Sequence, residues 1–266
     1  MRPNNVRAMW KSGQCVVNGW LSIPSGFAAE VMAHQGWDSL TVDMQHGVVD
    51  YQAMVSMFQG ISTTAVVPMA RVPWNDPAHV MKALDAGAYG IICPMVNNRE
   101  EAEKFVGACR YAPRGYRSSG PIRATLYGGP DYHMKADDEI LAIAMIETKE
   151  AVKNIDKILS TPGLDGIYVG PSDLSISYGM GPGMDHPDEK RIDLLMKILK
   201  AAKKHGIHAG IHTGSTAYAK RMQEAGYQLV TLLNDSRIMA AAAKAIVDDM
   251  RGPKPAETKP KAKSVY

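Results

Sequence analysis

Short runs of β-branched and other apolar residues alternate along this chain with longer segments in which apolar residues recur at helical spacing. Eight such strand–helix pairs follow one another from Cys15 onward. The alternation predicts an α/β fold of parallel βαβ units, and eight units predict a closed (β/α)8 barrel of the TIM type. The strands are predicted at 16–20, 39–43, 65–71, 90–94, 141–147, 166–169, 207–211 and 228–233.

Signals at helix ends support this alternation. Asp76 is a typical N-cap, and Pro77 suits the first helical position, where an N–H would have no acceptor. Gly87 is a typical stop for the same helix, and Thr148 is predicted to cap the helix that follows the fifth strand. A doubly wound sheet is disfavoured because no glycine-rich dinucleotide fingerprint follows the first strand.

One long connection, at 111–138, interrupts the regular spacing. It contains Arg114, Arg117 and several glycines. Connections of this length inside a compact domain are usually functional or disordered. The arginines and glycines favour a loop that covers the substrate.

Length and charge indicate one catalytic domain at 1–251 followed by a tail at 252–266. The chain has 266 residues, which suits a single barrel of roughly 250 residues. The formal net charge is +3, and the tail alone accounts for it, with four lysines and one glutamate. The tail has few apolar residues and is predicted to be disordered. Because the remaining body is close to neutral, no nucleic-acid partner is expected.

Targeting and redox signals are weak. No apolar run approaches the roughly 18 residues of a membrane span, and the N-terminus lacks a signal-peptide pattern. A cytoplasmic protein without membrane association is therefore expected. Cys15, Cys93 and Cys109 are widely spaced, which predicts buried thiols and not a disulfide framework or zinc cluster.

Polar residues cluster where the predicted strands end. Asp43 and His46 follow the second strand, Arg71 ends the third, Glu147 ends the fifth, and Asp173 follows the sixth. The carboxyl ends of barrel strands meet at one face, where the active sites of TIM barrels lie. These side chains are therefore expected to share one site.

Glu147 and Asp173 are hard oxygen donors at neighbouring strand ends. Such donors suit Mg²⁺ or Mn²⁺, which keep coordination positions for water and substrate oxygens. The alternative is that each carboxylate caps a helix, since helical or turn segments follow both. The pairing at adjacent strands favours a metal site.

Two further residues suggest catalysis. His46 lies three residues after Asp43, whose carboxylate is expected to orient the imidazole and raise its basicity, as a general base requires. Arg71 in the barrel mouth is expected to meet an anionic carboxylate or enolate. A salt bridge from Arg71 to Glu147 or Asp43 is the structural alternative. Trp20 and His212 either line the pocket or pack in the core.

Four motifs taken in order resemble the metal-dependent class II pyruvate aldolases. They are Val-Asp-Met-Gln-His-Gly at 42–47, Arg-Val-Pro-Trp-Asn-Asp-Pro at 71–77, Ile-Glu-Thr at 146–148 and Gly-Pro-Ser-Asp-Leu at 170–174. This family includes 4-hydroxy-2-oxoheptanedioate aldolase and 2-dehydro-3-deoxyglucarate aldolase and is related to macrophomate synthase. The similarity extends from about Gly19 to Ile246.

The resemblance implies a role for each matched residue. Glu147 and Asp173 would bind Mg²⁺, Mn²⁺ or Co²⁺, and His46 with Asp43 would act as acid/base. Arg71 would hold the pyruvyl keto oxygen and stabilise the enolate. By the same resemblance, two further contributions are expected: backbone contacts to the substrate carboxylate from Gly170 and Ser172, and an approach by Asp85 to the histidine of a neighbouring subunit.

The implied activity is reversible cleavage of a 4-hydroxy-2-oxo acid to pyruvate and an aldehyde through a metal-bound enolate, in the catabolism of aromatic compounds or sugar acids. Oxaloacetate decarboxylation and a macrophomate-synthase-like reaction are alternatives that use the same enolate. A non-catalytic barrel is a third. A lysine Schiff base is disfavoured because no lysine is predicted at a strand end. The resemblance also implies a homo-oligomer, a trimer or a hexamer built from trimers.

Overall fold

The computed structural model describes residues 1–252 of the protein. Eight parallel strands form a closed barrel in sequence order, with β1 also pairing with β8, where Val16 lies opposite Leu229. The predicted TIM barrel is confirmed. The strands are β1 (Val16–Leu21), β2 (Ser39–Asp43), β3 (Val67–Arg71), β4 (Gly90–Cys93), β5 (Leu141–Ile146), β6 (Gly166–Val169), β7 (His208–Thr213) and β8 (Leu229–Leu232).

The predicted strands overlap the observed ones, and the differences lie at the ends. The third strand begins at Val67 because Val66 still belongs to a turn, where its N–H donates to Thr64 Oγ1 at 3.2 Å. The seventh continues to Thr213, so His212 lies within the strand and pairs with Thr231. The fifth ends at Ile146, which leaves Glu147 immediately beyond the sheet.

Helices follow the strands and cover the outside of the barrel, so both faces of most strands are buried. The helices are α1 (Asn5–Lys11), α2 (Gly26–Ala33), α3 (Tyr51–Ile61), α4 (Pro77–Asp85), α5 (Arg99–Cys109), α6 (Ile122–Gly128), α7 (Tyr132–Glu139), α8 (Lys149–Lys153), α9 (Ile155–Leu159), α10 (Pro171–Ser177), α11 (Glu189–His205), α12 (Thr216–Ala225) and α13 (Asp235–Arg251).

The two predicted N-caps and the predicted helix stop are confirmed. Asp76 Oδ1 accepts a hydrogen bond from the N–H of Ala78 at 2.8 Å, and Gly87 follows the end of α4 with a φ of 107°. Thr148 Oγ1 accepts from the N–H of Ala151 at 2.9 Å. The helix predicted after Thr148 nevertheless divides into α8 and α9 at Asn154.

The long connection 111–138 does not cover the candidate site of its own chain, so that prediction is wrong. The segment contains α6 and most of α7, and it joins the end of α5 to the start of β5. Connections from a helix to the next strand lie at the amino ends of the strands, opposite the active-site face. Arg123 shows the location, because its Nη2 donates to Ser62 Oγ at 2.9 Å beyond the end of α3.

The last helix is the least buried part of the fold. Met239, Ile246 and Met250 of α13 are 56%, 66% and 82% exposed and lie on one stripe of the helix. Cys93 and Cys109 are buried free thiols, as predicted, and Cys15 is partly buried. Within residues 1–252, no helix is both long enough and apolar enough to cross a membrane. The predicted disordered tail lies outside the described residues from 253 onward.

Candidate active site

A cavity of about 130 Å³ opens at the carboxyl ends of the strands. Its walls combine residues that the sequence predicted with residues that it did not. The lining residues are Arg71, Met145, Tyr168, Gly170, Pro171, Ser172, Asp173, Met184 and His212. A larger cavity, of about 580 Å³, lies at the opposite end, where Arg110 and Asp165 form an ion pair of 2.6 Å. Chemistry, and not volume, identifies the candidate site.

Arg71 is held in place by Asp43 and Trp20. Asp43 and Arg71 end neighbouring strands and lie directly opposite each other in the sheet register. Arg71 Nε donates to Asp43 Oδ1 at 2.9 Å, and Nη2 donates to Oδ2 at 2.6 Å. The guanidinium lies over the Trp20 ring, 4.9 Å from its centroid. The salt bridge to Asp43 that the sequence left as an alternative is present, and Arg71 also lines the cavity.

Asp43 does not bind the His46 imidazole, which corrects the expected orientation of that ring. Its Oδ1 accepts the backbone N–H groups of Gln45 at 3.0 Å and His46 at 3.3 Å, and Oδ2 accepts Trp20 Nε1–H at 3.1 Å. Burial favours a raised pKa for Asp43, but the hydrogen bonds and charge of Arg71 outweigh it, so the pKa is lowered. Asp43 is thus an ionised anchor for Arg71 and for the backbone of the exposed His46.

Glu147 is a buried carboxylate at the end of β5. Its Oε1 accepts the N–H of Met95 at 2.7 Å, and Met95 has a φ of 56°, which is unusual for a residue with a side chain. Burial, above all, raises the pKa of Glu147 to about 7, and the negative charge of Asp173 adds to the rise. Gly170 leaves room for this carboxylate, because a Cβ there would lie 2.7 Å from Glu147 Oε2.

Neither Glu147 nor Asp173 caps a helix. Thr148 already caps α8, and α10, which carries Asp173 in its first turn, has no side-chain cap. Among residues 1–252, Glu147 Oε2 and the Asp173 carboxylate accept no hydrogen bond. Two mutually repelling carboxylates with free oxygens fit a divalent cation. No group of three metal-ligating side chains occurs within the described residues, so the remaining ligands would be water and substrate.

His212 lines the cavity, whereas Trp20 is packed behind it and is not among the lining residues. His212 Nδ1 lies 2.9 Å from the Tyr168 hydroxyl, and the His212 ring meets Trp20 edge-on with centroids 5.1 Å apart. Burial, and then the charge of Arg71, lowers the pKa of His212 to about 4, so the ring is neutral near neutral pH. Trp20 is only 2% exposed, and its ring packs against the guanidinium of Arg71.

Asp85 is not brought to His46 within one chain. It ends α4 at the amino end of the barrel, and Arg117 Nη2 donates to its Oδ1 at 2.9 Å. Arg117 is buried and also donates to the Tyr132 hydroxyl at 3.1 Å. The role of Asp85 in a neighbouring subunit stays a prediction.

Several site residues were missed by the sequence reasoning. Tyr168 and Met145 lie inside strands, and Met95 and Met184 lie in loops. The side-chain alternation of β6 was available as a signal, because Tyr168 is an inward candidate two residues after Gly166. Met95 acts through its N–H, which no side-chain pattern reveals.

A TIM barrel whose mouth combines two free carboxylates, an anchored arginine and a histidine has the groups needed to form and hold an enolate. That combination is typical of barrel enzymes that act through an enolate. Residues 19–242 match the family model described as HpcH/HpaI aldolase/citrate lyase, and the chain belongs to this family. The expected family resemblance is thereby confirmed.

Relatives cover nearly the whole chain. It is 39% identical over 248 residues to a hydroxypyruvate/pyruvate aldolase of Rhizorhabdus wittichii, covering 93% of this chain and 99% of the relative. It is 34% identical over 246 residues to a 4-hydroxy-2-oxo-heptane-1,7-dioate aldolase of Shigella flexneri, covering 91% of each. A crystal structure of a family member from Burkholderia cenocepacia matches with a TM-score of 0.87 at 31% identity, covering 94% of this chain and 100% of that one. The protein is therefore a lyase, and the alternative of a non-catalytic barrel is not supported.

Proposed function

We propose that the protein is a divalent-metal-dependent pyruvate aldolase that reversibly cleaves a 4-hydroxy-2-oxo acid into pyruvate and an aldehyde. The observation that carries the proposal is the pair of free carboxylates, Glu147 and Asp173, at the same barrel mouth as the anchored Arg71. The names of the two relatives, one for a pyruvate aldolase and one for a hydroxy-oxo-acid aldolase, support this substrate class.

Glu147 and Asp173 would hold the cation, with Mg²⁺, Mn²⁺ or Co²⁺ as candidates. Oxygen donors of this kind suit hard divalent ions. When bound, such an ion supplies Lewis acidity that draws negative charge toward the keto group. The buried position of Glu147 keeps this corner of the site poor in competing water.

Arg71 is placed to stabilise the negative charge that develops on the keto oxygen. Two nitrogens of the Arg71 guanidinium, Nε and Nη2, donate to Asp43. The third, Nη1, makes no hydrogen bond among the described residues. Because Asp43 and Trp20 fix the orientation of the guanidinium before substrate arrives, little reorganisation is needed. The enolate of pyruvate is the anion that this arrangement fits.

His46 is the proposed acid/base. In the cleavage direction, a base must take the proton of the substrate hydroxyl while the adjacent carbon–carbon bond breaks. His46 follows the carboxyl end of β2, is exposed, and has its backbone N–H bound by Asp43. A ring that is positioned but free of a side-chain partner can approach the aldehyde fragment.

Backbone groups after β6 are proposed to bind the substrate carboxylate. Ser172 lies in the first turn of α10, where N–H groups have no acceptor within the helix. Gly170 gives this turn its close approach to Glu147. An anionic carboxylate there would complete the hydrogen bonding of the turn.

Oxaloacetate decarboxylation is the second candidate, because it passes through the same pyruvate enolate. It needs Arg71 and a Lewis acid, but it needs no base to remove a hydroxyl proton. The anchored Arg71 and the two free carboxylates are the observations that allow this reaction too. Comparing pyruvate release from oxaloacetate and from 4-hydroxy-2-oxo acids, in wild type and in His46→Ala, separates the two functions.

The decisive experiment is exchange of the pyruvate methyl protons in deuterated water, followed by NMR, since it needs no knowledge of the aldehyde. We expect chelation to abolish exchange and Mg²⁺, Mn²⁺ or Co²⁺ to restore it. Glu147→Gln and Asp173→Asn should behave like the chelated enzyme, because each substitution keeps the size but removes the charge that a hard cation needs.

The matched control is Glu224→Gln, which changes an exposed glutamate on α12 in the same way. It should exchange pyruvate protons at the wild-type rate. Undiminished exchange after exhaustive chelation, with no metal found by elemental analysis, would contradict the metal site.

The active form is proposed to be a homo-oligomer, a trimer or hexamer. The apolar stripe of α13 supports self-association, because exposed apolar patches on soluble domains commonly mark interfaces. Asp85 also supports self-association. Its carboxylate is held by an ion pair with the buried Arg117, far from the site of its own chain, where it could serve only the site of a neighbouring subunit.

A further inference from the structure

Buried polar side chains hydrogen-bond to one another at the β1–β8 seam, next to His212, which lies opposite Thr231 in the sheet register. Asn18 lies opposite Thr231 in the register, and its Nδ2 donates to Thr231 Oγ1 at 2.9 Å. Asn18 Oδ1 accepts from Ser39 Oγ at 2.8 Å and from Thr41 Oγ1 at 3.1 Å.

The buried hydroxyl of Tyr168 lies 2.9 Å from His212 Nδ1, which is its only hydrogen-bond partner among the described residues. Burial raises the pKa of Tyr168 well above its ordinary value, so the hydroxyl keeps its hydrogen. A buried hydroxyl hydrogen without an acceptor is costly. We therefore take Tyr168 as the donor and His212 Nδ1 as the acceptor, because the hydroxyl makes no other hydrogen bond in the described part of the chain.

The Tyr168 ring has little freedom to leave this position. Trp20 stacks against it with centroids 5.6 Å apart and planes inclined by 21°. On the neighbouring strand Gly210 provides the space for the ring, since a Cβ there would lie 3.0 Å from Tyr168 Cδ2. Tyr168 itself is 1% exposed.

A neutral imidazole that accepts at Nδ1 carries its hydrogen on Nε2. His212 lines the cavity beside Ser172 and Asp173, and its Nε2 makes no hydrogen bond among the described residues. In the proposed function, Arg71 and the first turn of α10 bind the oxygens of the pyruvyl group. The Nε2–H of His212 is the donor left for the other fragment of the substrate.

We propose that Tyr168 is a positioning residue that holds His212 in the Nε2–H tautomer, so that His212 selects aldehydes carrying an oxygen acceptor next to the carbonyl. The proposal rests on the proposed aldolase function and specifies its aldehyde class. Hydroxyaldehydes and aldehyde acids fit this donor, and unsubstituted alkyl aldehydes do not.

The test compares glycolaldehyde with acetaldehyde, which differs by one hydroxyl, as acceptors for pyruvate. The ratio of kcat/KM for glycolaldehyde to that for acetaldehyde should exceed the ratio of their intrinsic reactivities by about tenfold or more in the wild type. The intrinsic ratio is measured without enzyme, in the hydroxide-catalysed aldol reaction of the same two aldehydes. Tyr168→Phe should reduce this preference by about 3- to 10-fold, as expected for one neutral hydrogen bond. His212→Leu should remove the preference. An unchanged preference in both variants would overturn the proposal.

Tyr227→Phe is the matched control. It also removes a buried hydroxyl, which donates to Leu195 O at 2.9 Å away from the site, and it should keep the wild-type preference. Pyruvate proton exchange by the wild type tests the aldolase function separately, because it uses no aldehyde. Exchange without any hydroxyaldehyde preference would reject the role of His212 alone.

A second measurement reads the tautomer of His212 directly. Nitrogen-15 NMR of histidine-labelled wild-type protein reports which ring nitrogen carries the hydrogen, and the His212 signals are assigned by their absence in His212→Leu. We expect Nε2–H for His212 and a mixture of tautomers in Tyr168→Phe. An Nδ1–H tautomer in the wild type would overturn the proposal.

Discussion

At the scale of single residues, the carboxylate of Asp43 organises one side of the site. It accepts hydrogen bonds from Trp20, from the backbone of Gln45 and His46, and from two nitrogens of Arg71. Charge-assisted bonds of this kind are stronger than neutral ones and hold fixed geometry. Asp43 therefore acts mainly by positioning the arginine and the loop, and not by polarising the histidine ring.

Arg71→Lys should impair the enzyme severely although it keeps the positive charge. Lysine lacks the planar fork that bonds Asp43 at two points while a third nitrogen faces the substrate. We expect kcat/KM to fall by roughly 10²- to 10³-fold, the cost of losing one donor to a developing oxyanion. Arg221→Lys, an exposed position on α12, is the control. Wild-type kcat and KM in the Arg71 variant would make Arg71 structural.

His46→Ala should retain the metal and lose roughly 10²- to 10⁴-fold in kcat for aldol cleavage, the range for removing a general acid/base. Because Asp43 contacts the backbone of His46 and not its ring, the variant should leave the Asp43–Arg71 pair intact. Steady-state kinetics across pH, together with metal analysis, make the comparison. Full turnover with an unaltered pH profile would exclude His46 from the mechanism.

At the scale of elements, capped helices help to hold the loops that follow β3, β5 and β7. Asp76, Thr148 and Ser215 each accept a backbone N–H from the first turn of the next helix. A satisfied helix N-terminus fixes the path of the chain that leaves the strand. The side chains at the strand ends are thereby held on two sides, by the sheet and by the cap.

Asp76→Ala should lower the free energy of unfolding by about 0.5–2 kcal/mol, the usual cost of losing an N-cap. Asp76 is exposed and bonds only the N–H of Ala78, so kcat and KM should be unchanged. Urea unfolding gives the free energy, and Asp76→Asn, which can still cap, should restore most of it. Equal stability of the alanine and wild-type proteins would mean that Pro77 alone starts α4.

At the scale of the whole molecule, α13, which follows the last strand, is much less buried than the other helices. Only Asp235 of this helix is buried, where it accepts from the N–H of Ser22 at 2.9 Å. The apolar stripe beyond it has no partner within the described residues. Burying such a stripe against a second copy would gain roughly 25 cal/mol for each Å² of apolar surface.

Ile246→Lys should therefore shift the protein toward smaller species in sedimentation velocity, because it places a charge in the apolar stripe of α13. Lys244→Ala, on the same exposed helix, should leave the assembly unchanged.

Asp85→Ala should reduce activity while keeping both the metal and the assembly, because Asp85 is proposed to serve the site of a neighbouring subunit. A fully active wild-type monomer would contradict the proposed oligomer.

The sequence by itself determined the barrel and most of the candidate site. Side-chain periodicity is local, so it located every strand to within about two residues of its observed ends. Parallel strands bring their carboxyl ends to one face, so Asp43, Arg71 and Glu147 could be grouped without coordinates. The location of 111–138 at the opposite face also follows from connectivity, since the segment runs from a helix to a strand.

Only the tertiary structure decided which atoms meet. The Asp43 carboxylate binds backbone N–H groups where a bond to the His46 ring was expected, because the loop after β2 turns its amides toward it. Tyr168 and His212 meet across β6 and β7, and Met95 reaches Glu147 with its N–H. These contacts depend on barrel closure, register and side-chain rotamers. Those quantities are set by packing between distant segments, and no local pattern of the chain contains them.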